Sequence, residues 1–461
     1  MTSDAAARPG AGATRPPAVA GLFYPADADD LRAAVDRALA AAPVVEPDGR
    51  PRAVIAPHAG YRYSGATAGA AYRAVAADAE WVERVAVVGP AHRVPVGGVG
   101  VGATTAARWE TPLGPVDVDV DAVGDLVACG LAVPADEAHA PEHSVEVHLP
   151  FLQRVLPGRP VVPLVVGRAP HVRVAAALER LWDDRTLVVV SSDLSHYLDE
   201  ATARARDERT RRAILEGRHG DIGPYDACGC VAIGGLLVAA RPRRLVARTL
   251  AMTTSAAASG DTSRVVGYGS FALAPAGRPE PREAHWLLAR ARSAIAHELA
   301  TGEPDPLDDD DVPERLRSPG CSFVTLEREG ELAGCIGTLQ PSRPLWRDVA
   351  RNARGAAFAD PRFPPLAAGD LDRTAVKVAL LSALEPLPAT RVDLLAALRP
   401  GTDGLVLASG ERRAAFLPSV WRTLVTPERF VSALLAKAGL DGGVWPSDLR
   451  AWRYTTTDFV G

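Results

Sequence analysis

Three apolar runs in this chain end in residues that bind metals or move protons. Arg52-Ala-Val-Ile-Ala-Pro57 leads into His58, Arg84-Val-Ala-Val-Val-Gly-Pro90 into His92, and Thr186-Leu-Val-Val-Val-Ser-Ser192 into Asp193 and His196. Runs of Val, Ile and Leu without polar alternation mark parallel strands buried on both faces. Ligands of open α/β sheets collect outside the carboxyl ends of such strands. Imidazoles and a carboxylate converging there imply a metal ion. Asp193 and His196 are three residues apart, so a helix starting at this point would put them on one face. Ser192 or Asp193 could equally serve only as that helix's N-cap.

Two further clusters carry chemistry. Cys228-Gly-Cys230 precedes the apolar segment Val231 to Ala240. Thiols one residue apart do not close a relaxed disulfide. One of them is a small buried residue opening a helix, or a thiolate at a helix N-terminus that joins the metal. The spacing does not choose between Cys228 and Cys230. Glu142-His-Ser-Val-Glu-Val-His148 is the denser cluster. On one regular helix His143 and His148 would lie about 140° apart, so they would not aim at one ion. His143, Glu146 and His148 read as cleft-lining residues for proton transfer. His139, His171, His219, His285 and His297 have no partners in sequence and are expected at the surface.

These residues need strands and helices to position them. From Val19 onward, apolar runs alternate with Ala- and Arg-rich helical stretches at Leu31 to Ala41, Ala68 to Ala77 and Val174 to Trp182. That alternation predicts a layered α/β domain over residues 15–275, closing on a strand at Val265 to Leu273. Residues 1–17, rich in Ala, Pro and Gly, read as a floppy leader. Pro275 to Arg282 reads as a linker. A second, smaller α+β domain is expected over 283–461. It starts with a helix at Glu283 to Leu299 and continues through an acidic loop at Asp308 to Asp311. Next comes a hairpin turning at Glu329-Gly330, then a helix from Trp346 to Phe358 that stops before Asp360-Pro361. Here Cys335 sits in Gly334-Cys-Ile-Gly-Thr338 and reads as a packed thiol. Asp360 and Arg362 read as a pair or a cap.

With 461 residues, 47% of them hydrophobic, the chain can build more than one core. A net charge of −5 gives no basic footprint for nucleic acid. The basic residues are arginines except for Lys377 and Lys437. Five sparse cysteines do not form a disulfide framework and point to a reducing cytoplasm. There is no apolar signal core after Met1. The segment Val231 to Ala240 is too short and too Gly-rich to cross a membrane.

Residues from about 15 to 275 resemble the Memo family. The resemblance lies in Pro17-Ala-Val-Ala-Gly-Leu-Phe-Tyr-Pro25, Ile55-Ala-Pro-His-Ala-Gly-Tyr61, Gly89-Pro-Ala-His92, the 142–150 cluster, Ser191-Ser-Asp-Leu-Ser-His196 and Cys228-Gly229. Residues from about 283 resemble the AMMECR domain, through Gly334-Cys-Ile-Gly-Thr338 and Phe358-Ala-Asp-Pro-Arg-Phe-Pro-Pro-Leu366. Together they look like a fusion of the A and B proteins of the AmmeMemoRadiSam system, whose third member is a radical SAM protein. The resemblance implies a fold like that of class III extradiol dioxygenases and an oxidoreductase of that kind if the protein turns over. It assigns the metal ligands to His58, His92 and Cys228, with Asp193 and His196 beside them; His143 and His148 of the 142–148 cluster complete the catalytic candidates. It implies Fe(II), with Cu(I) or Zn as alternatives, and an unknown small-molecule or protein substrate. The other reading is a metal-binding scaffold that docks the radical SAM protein. The chain departs from some relatives at Arg93, where they carry a second His, and at Cys230, where Arg is common.

Overall fold

The Val-rich runs are strands, and they lie side by side. The computed structural model describes residues 13–45, 49–98, 100–306, 311–440 and 445–461. The chain divides into two units. Residues 1–241 and 245–277 form the first, and residues 242–244 and 278–461 the second.

The first unit is layered α/β, as its alternating pattern predicts. Helix α1 (Ala28–Ala41) precedes strand β1 (Ala53–Ala56), and helix α2 (Tyr61–Ala76) precedes β2 (Arg84–Pro90). Later come β3 (Val161–Val166), α3 (His171–Leu181), β4 (Thr186–Ser191), β5 (His196–Leu198), α4 (Cys230–Ala240), β6 (Leu245–Thr254) and β7 (Val265–Pro275). The central strands β1, β4, β2 and β3 run parallel in that order. Their side chains are buried on both faces, which is why no polar alternation appears in the sequence. β7 adds antiparallel to β1, and β5 and β6 pair with β7. Helices α3 and α4 pack closely because Gly234 has no side chain. A Cβ there would come within 2.6 Å of the His171 ring.

Several boundaries differ from expectation. The first helix begins earlier because the Asp27 carboxylate accepts the N–H groups of Asp29 and Asp30. The second begins at Tyr61, directly after the His58–Gly60 turn, where aromatic residues hid the start. No helix follows Asp193. The chain runs through Leu194 and Ser195 into strand β5, so His196 pairs with Val266 across the sheet and does not share a helix face with Asp193. The leader is not wholly loose. Residues 1–12 lie outside the described part, but Thr14–Arg15 form a short strand parallel to Arg108–Thr111, and Arg15 is buried.

The second unit is α+β. Helix α5 (Pro281–Thr301) starts inside the expected linker, with Pro281 in the first turn and a capping box between Glu280 and Glu283. Strands β8 (Ser322–Arg328) and β9 (Glu331–Gly337) form the predicted hairpin. Glu329 and Gly330 both have positive φ, 55° and 85°, as a primed two-residue turn requires. Helix α6 (Leu345–Phe358) follows, then β10 (Thr374–Leu381) and the final strand β11 (Thr456–Val460), giving a sheet ordered β9-β8-β10-β11. A second four-stranded sheet is built from Glu385–Leu387, Arg450–Tyr454, Gly404–Ser409 and Arg412–Phe416. Of the expected acidic loop, residues 308–310 lie outside the described part. Among the described residues, no helix is long and apolar enough to cross a membrane.

Candidate metal centre

β1, β2 and β4 end on the same side of the sheet, because they are parallel neighbours. His58 follows β1, His92 follows β2, and Asp193 follows β4. Cys228 reaches them from the turn before α4. Ligand atoms of His58, His92 and Cys228 all lie within 4.8 Å of one another. The Cys228 Sγ is 3.4 Å from His58 Nε2. Gly229 makes this approach possible, since a Cβ there would meet the Ser191 carbonyl oxygen at 2.6 Å.

Hydrogen bonds fix which imidazole nitrogen faces the cluster. The Ser191 hydroxyl donates its one proton to the Ser144 carbonyl at 2.6 Å. Its oxygen must therefore accept from His58 Nδ1, 2.6 Å away. That leaves His58 Nε2 unprotonated and turned toward Cys228. Burial, then the charges of His92, His143 and His148, hold the His58 pKa well below the ordinary histidine range. His92 follows the same logic. Its Nδ1 lies 3.0 Å from Glu142 Oε1, so the proton sits there and Nε2 is left open.

Glu142 is the hub of this arrangement. It accepts the backbone N–H groups of His92, His143 and Ser144 as well as the His92 ring. Burial raises its pKa, but hydrogen bonds from His143 and His92 outweigh that and hold the carboxyl well below its usual range. Glu142 also forms a second group of ligand atoms with His92 and His143. With so many donors on that carboxylate, this second group is a hydrogen-bond cluster rather than a vacant site.

Asp193 and the thiol complete the pocket. Asp193 Oδ1 accepts the His58 backbone N–H at 2.8 Å, and its own N–H points to Cys228 Sγ at 3.3 Å. Burial raises the Asp193 pKa against the hydrogen bond from His58 and the nearby charge of His196. Burial, then the Asp193 carboxylate, push the Cys228 thiol up, against the N–H groups of Asp193 and Gly229 and the Ser192 hydroxyl. A cation would reverse that and draw off the proton. The donor set of two imidazoles and one ionisable thiol fits a soft or borderline metal ion.

The other predicted residues divide. His143 joins the cluster, with its ring 4.8 Å from His92, 5.3 Å from His58 and 4.5 Å from Phe23. His196 meets the Tyr197 ring edge-on on β5 and acts on Asp193 through its charge. His148 is buried, its Nδ1 2.7 Å from the Tyr72 hydroxyl, and belongs to neither ligand group. Glu146 is not a proton-transfer residue. It is fully buried and accepts from Arg15, Tyr24 and the N–H groups of Ala18 and Val19. The cleft that reaches His92 and Cys228 is lined by none of His143, Glu146 and His148. Cys230 packs among the core residues and belongs to neither ligand group, although it also lines the cleft beside Cys228. His139 is not a surface residue; it is 1% exposed, donates its Nε2–H to the Gly102 carbonyl at 3.2 Å and meets Trp109 edge-on. His171 and His219 pair through their Nδ1 atoms, 2.9 Å apart. Ser144, Ser191 and the roles of Glu142 and Arg15 are not legible from local spacing, because each acts across long sequence separations.

Comparison with known proteins agrees with this division of the chain. Residues 15–272 match the model of the Memo-like protein family, and residues 288–459 match AMMECR1. A MEMO1 family protein of Nitrosopumilus maritimus is 32% identical over 279 residues, which covers 56% of this chain and 98% of that one. One from Aquifex aeolicus is 33% identical over 270 residues, or 55% and 97%. A crystal structure of an uncharacterized protein from Pyrococcus horikoshii aligns with 29% identity over 39% of this chain and 92% of its own, with a TM-score of 0.38. With residues 15–272 matched as one family and 288–459 as another, the chain belongs to the Memo-like family and carries an AMMECR1 domain behind the Memo part.

Proposed function

We propose that the first unit holds one metal ion, Fe(II), through His58, His92 and Cys228 and serves as an oxidoreductase of the extradiol-dioxygenase-like kind. The observation behind this reading is the pair of locked imidazoles. Ser191 and Glu142 each take one ring N–H, so both remaining nitrogens are ligands in the correct tautomer before any ion arrives. When bound, the ion would supply Lewis acidity and one-electron chemistry. His143, stacked on His92, takes the acid–base role. Asp193 positions His58 through its backbone N–H, and His196 acts on Asp193 from β5. His148 is at most a buried reserve of the same network.

The second reading is a scaffold that holds Cu(I) or Fe without turnover and docks a radical SAM protein. The soft thiolate favours it, as does the position of His196 outside the ligand group. In both readings the partner is that radical SAM protein, and the five unpaired cysteines suit a reducing cytoplasm. The test is anaerobic metal analysis of untagged protein, followed by oxygen uptake with simple catechols. Iron with uptake supports the enzyme. Iron or copper without uptake, but with co-purification of the radical SAM protein, supports the scaffold. Stoichiometric zinc and no uptake would move the assignment to a hydrolase.

A further inference from the structure

A cleft of about 460 Å3 reaches the candidate metal group from the side of His92 and Cys228. That size suits a small molecule of roughly one ring and its substituents. Part of its wall is apolar, from Pro90, Pro95, Val96, Val166 and Val231. Two arginines, Arg93 and Arg168, line the same cleft. Neither guanidinium has a hydrogen bond or ion pair among the described residues. Several other arginines of this unit do meet carboxylates, as Arg84 does with Asp119, Arg180 with Asp125 and Arg204 with Glu200. Two cations without counter-ions, set into a concave surface with apolar walls, describe a receptor for an anion with an apolar body. The first residues of α4 line the cleft too, so the positive end of that helix adds to the field.

We propose that this cleft binds a small molecule carrying a carboxylate or phosphate group, with Arg93 and Arg168 as its anchors. Its apolar part lies on the proline and valine wall, and its other end meets His92 and Cys228. The inference rests on the metal reading for what happens at that end, but not for binding itself.

The test uses the full chain and isothermal titration with benzoate, phenyl phosphate and the neutral isostere benzamide. Arg93→Gln, Arg168→Gln and the double variant are compared with the unaltered protein, with metal content measured for each. At least one anion is expected to bind, benzamide at least about tenfold more weakly, and the double variant to lose at least about tenfold in anion affinity with metal content unchanged. Benzoate against phenyl phosphate decides between carboxylate and phosphate. Equal binding of benzamide, unchanged affinity in the double variant, or no binding of either anion at millimolar concentration overturns the proposal. Protein that binds no metal yet holds anions through both arginines would retire the metal reading and leave the cleft assignment standing. Metal-loaded protein indifferent to both substitutions would do the reverse.

Discussion

In the first unit, Ser191 and Glu142 hold His58 and His92 by one nitrogen each, and the other nitrogen of His58 faces the Cys228 thiol. In the second unit, helix α6 carries an equally buried polar cluster, but its bonds run inward. Asp348 Oδ2 accepts the Ser322 N–H at 2.9 Å and the Ser322 hydroxyl at 2.8 Å. Asn352 Nδ2 donates to the Ser322 carbonyl and to Asp348, each at 3.0 Å. Asp360 and Arg362 close on the Cys335 backbone in the same manner. These contacts tie helix and loop to the β8–β9 hairpin. Buried polarity alone therefore does not mark a reactive site. The second cluster too leaves one oxygen, Asp348 Oδ1, without a partner; what distinguishes the first unit is that two imidazoles and a thiol bring their ligand atoms within 4.8 Å of one another.

The largest expected effect tests that distinction directly. His58→Ala and Cys228→Ser should each lose most of the bound metal while far-UV circular dichroism stays native. Cys230→Ser should keep it, because that thiol packs in the core. Equal loss in both cysteine variants would show that the segment is structural and not a ligand source. Next in size, Arg15→Ala leaves the Glu146 carboxylate buried without its cation and should destabilise the first unit by about 3–5 kcal/mol in chemical denaturation.

Acid should separate the units as well. Burial, then the charge of Arg15, push His139 down to about 4. Its unfolded value is about 6.5, so above that pH both states are neutral and nothing is lost. As pH falls from 6.5 toward 4, the unfolded chain takes up a proton that the folded unit refuses, and stability drops by up to roughly 3 kcal/mol. The second unit holds no buried histidine, and burial shifts its Asp348 upward, which favours the folded state as pH falls. Hydrogen exchange across this range should show first-unit peptides opening while those of α6 and β8 stay protected; the opposite order would refute the assignment. The smallest effect is Asn352→Ala. It should cost the second unit about 1–3 kcal/mol by leaving Ser322 and Asp348 short of a donor, with metal content untouched. Metal loss in that variant would contradict the separation.

The strand ends were readable because β1, β2 and β4 are buried on both faces and so carry unbroken apolar runs. The β8–β9 hairpin was readable from Glu329-Gly330. The short strand at Thr14–Arg15 was not, since two residues in an Ala- and Pro-rich stretch carry no period. His139 looked solitary because its contacts, Gly102 and Trp109, lie some thirty or more positions away. Asp193 and His196 suggested a helix by spacing, yet pairing with β7 outweighed it. Which nitrogens of His58 and His92 are left free could be derived only once the Ser191 and Glu142 bonds were seen.

The buried Arg15 also bears on how the protein is made. Its side chain bonds the carbonyl oxygens of His139 and Glu142 and the carboxylate of Glu146, all more than 120 positions later in the chain. At ribosomal rates of roughly 5–20 residues per second, those partners follow it by about ten seconds. For that interval a cation destined for the interior must wait in water beside its apolar neighbours. Contacts this distant in sequence form late in folding. The backbone of Glu142, which orders His92, cannot receive the Arg15 guanidinium before both ends of that long loop have met.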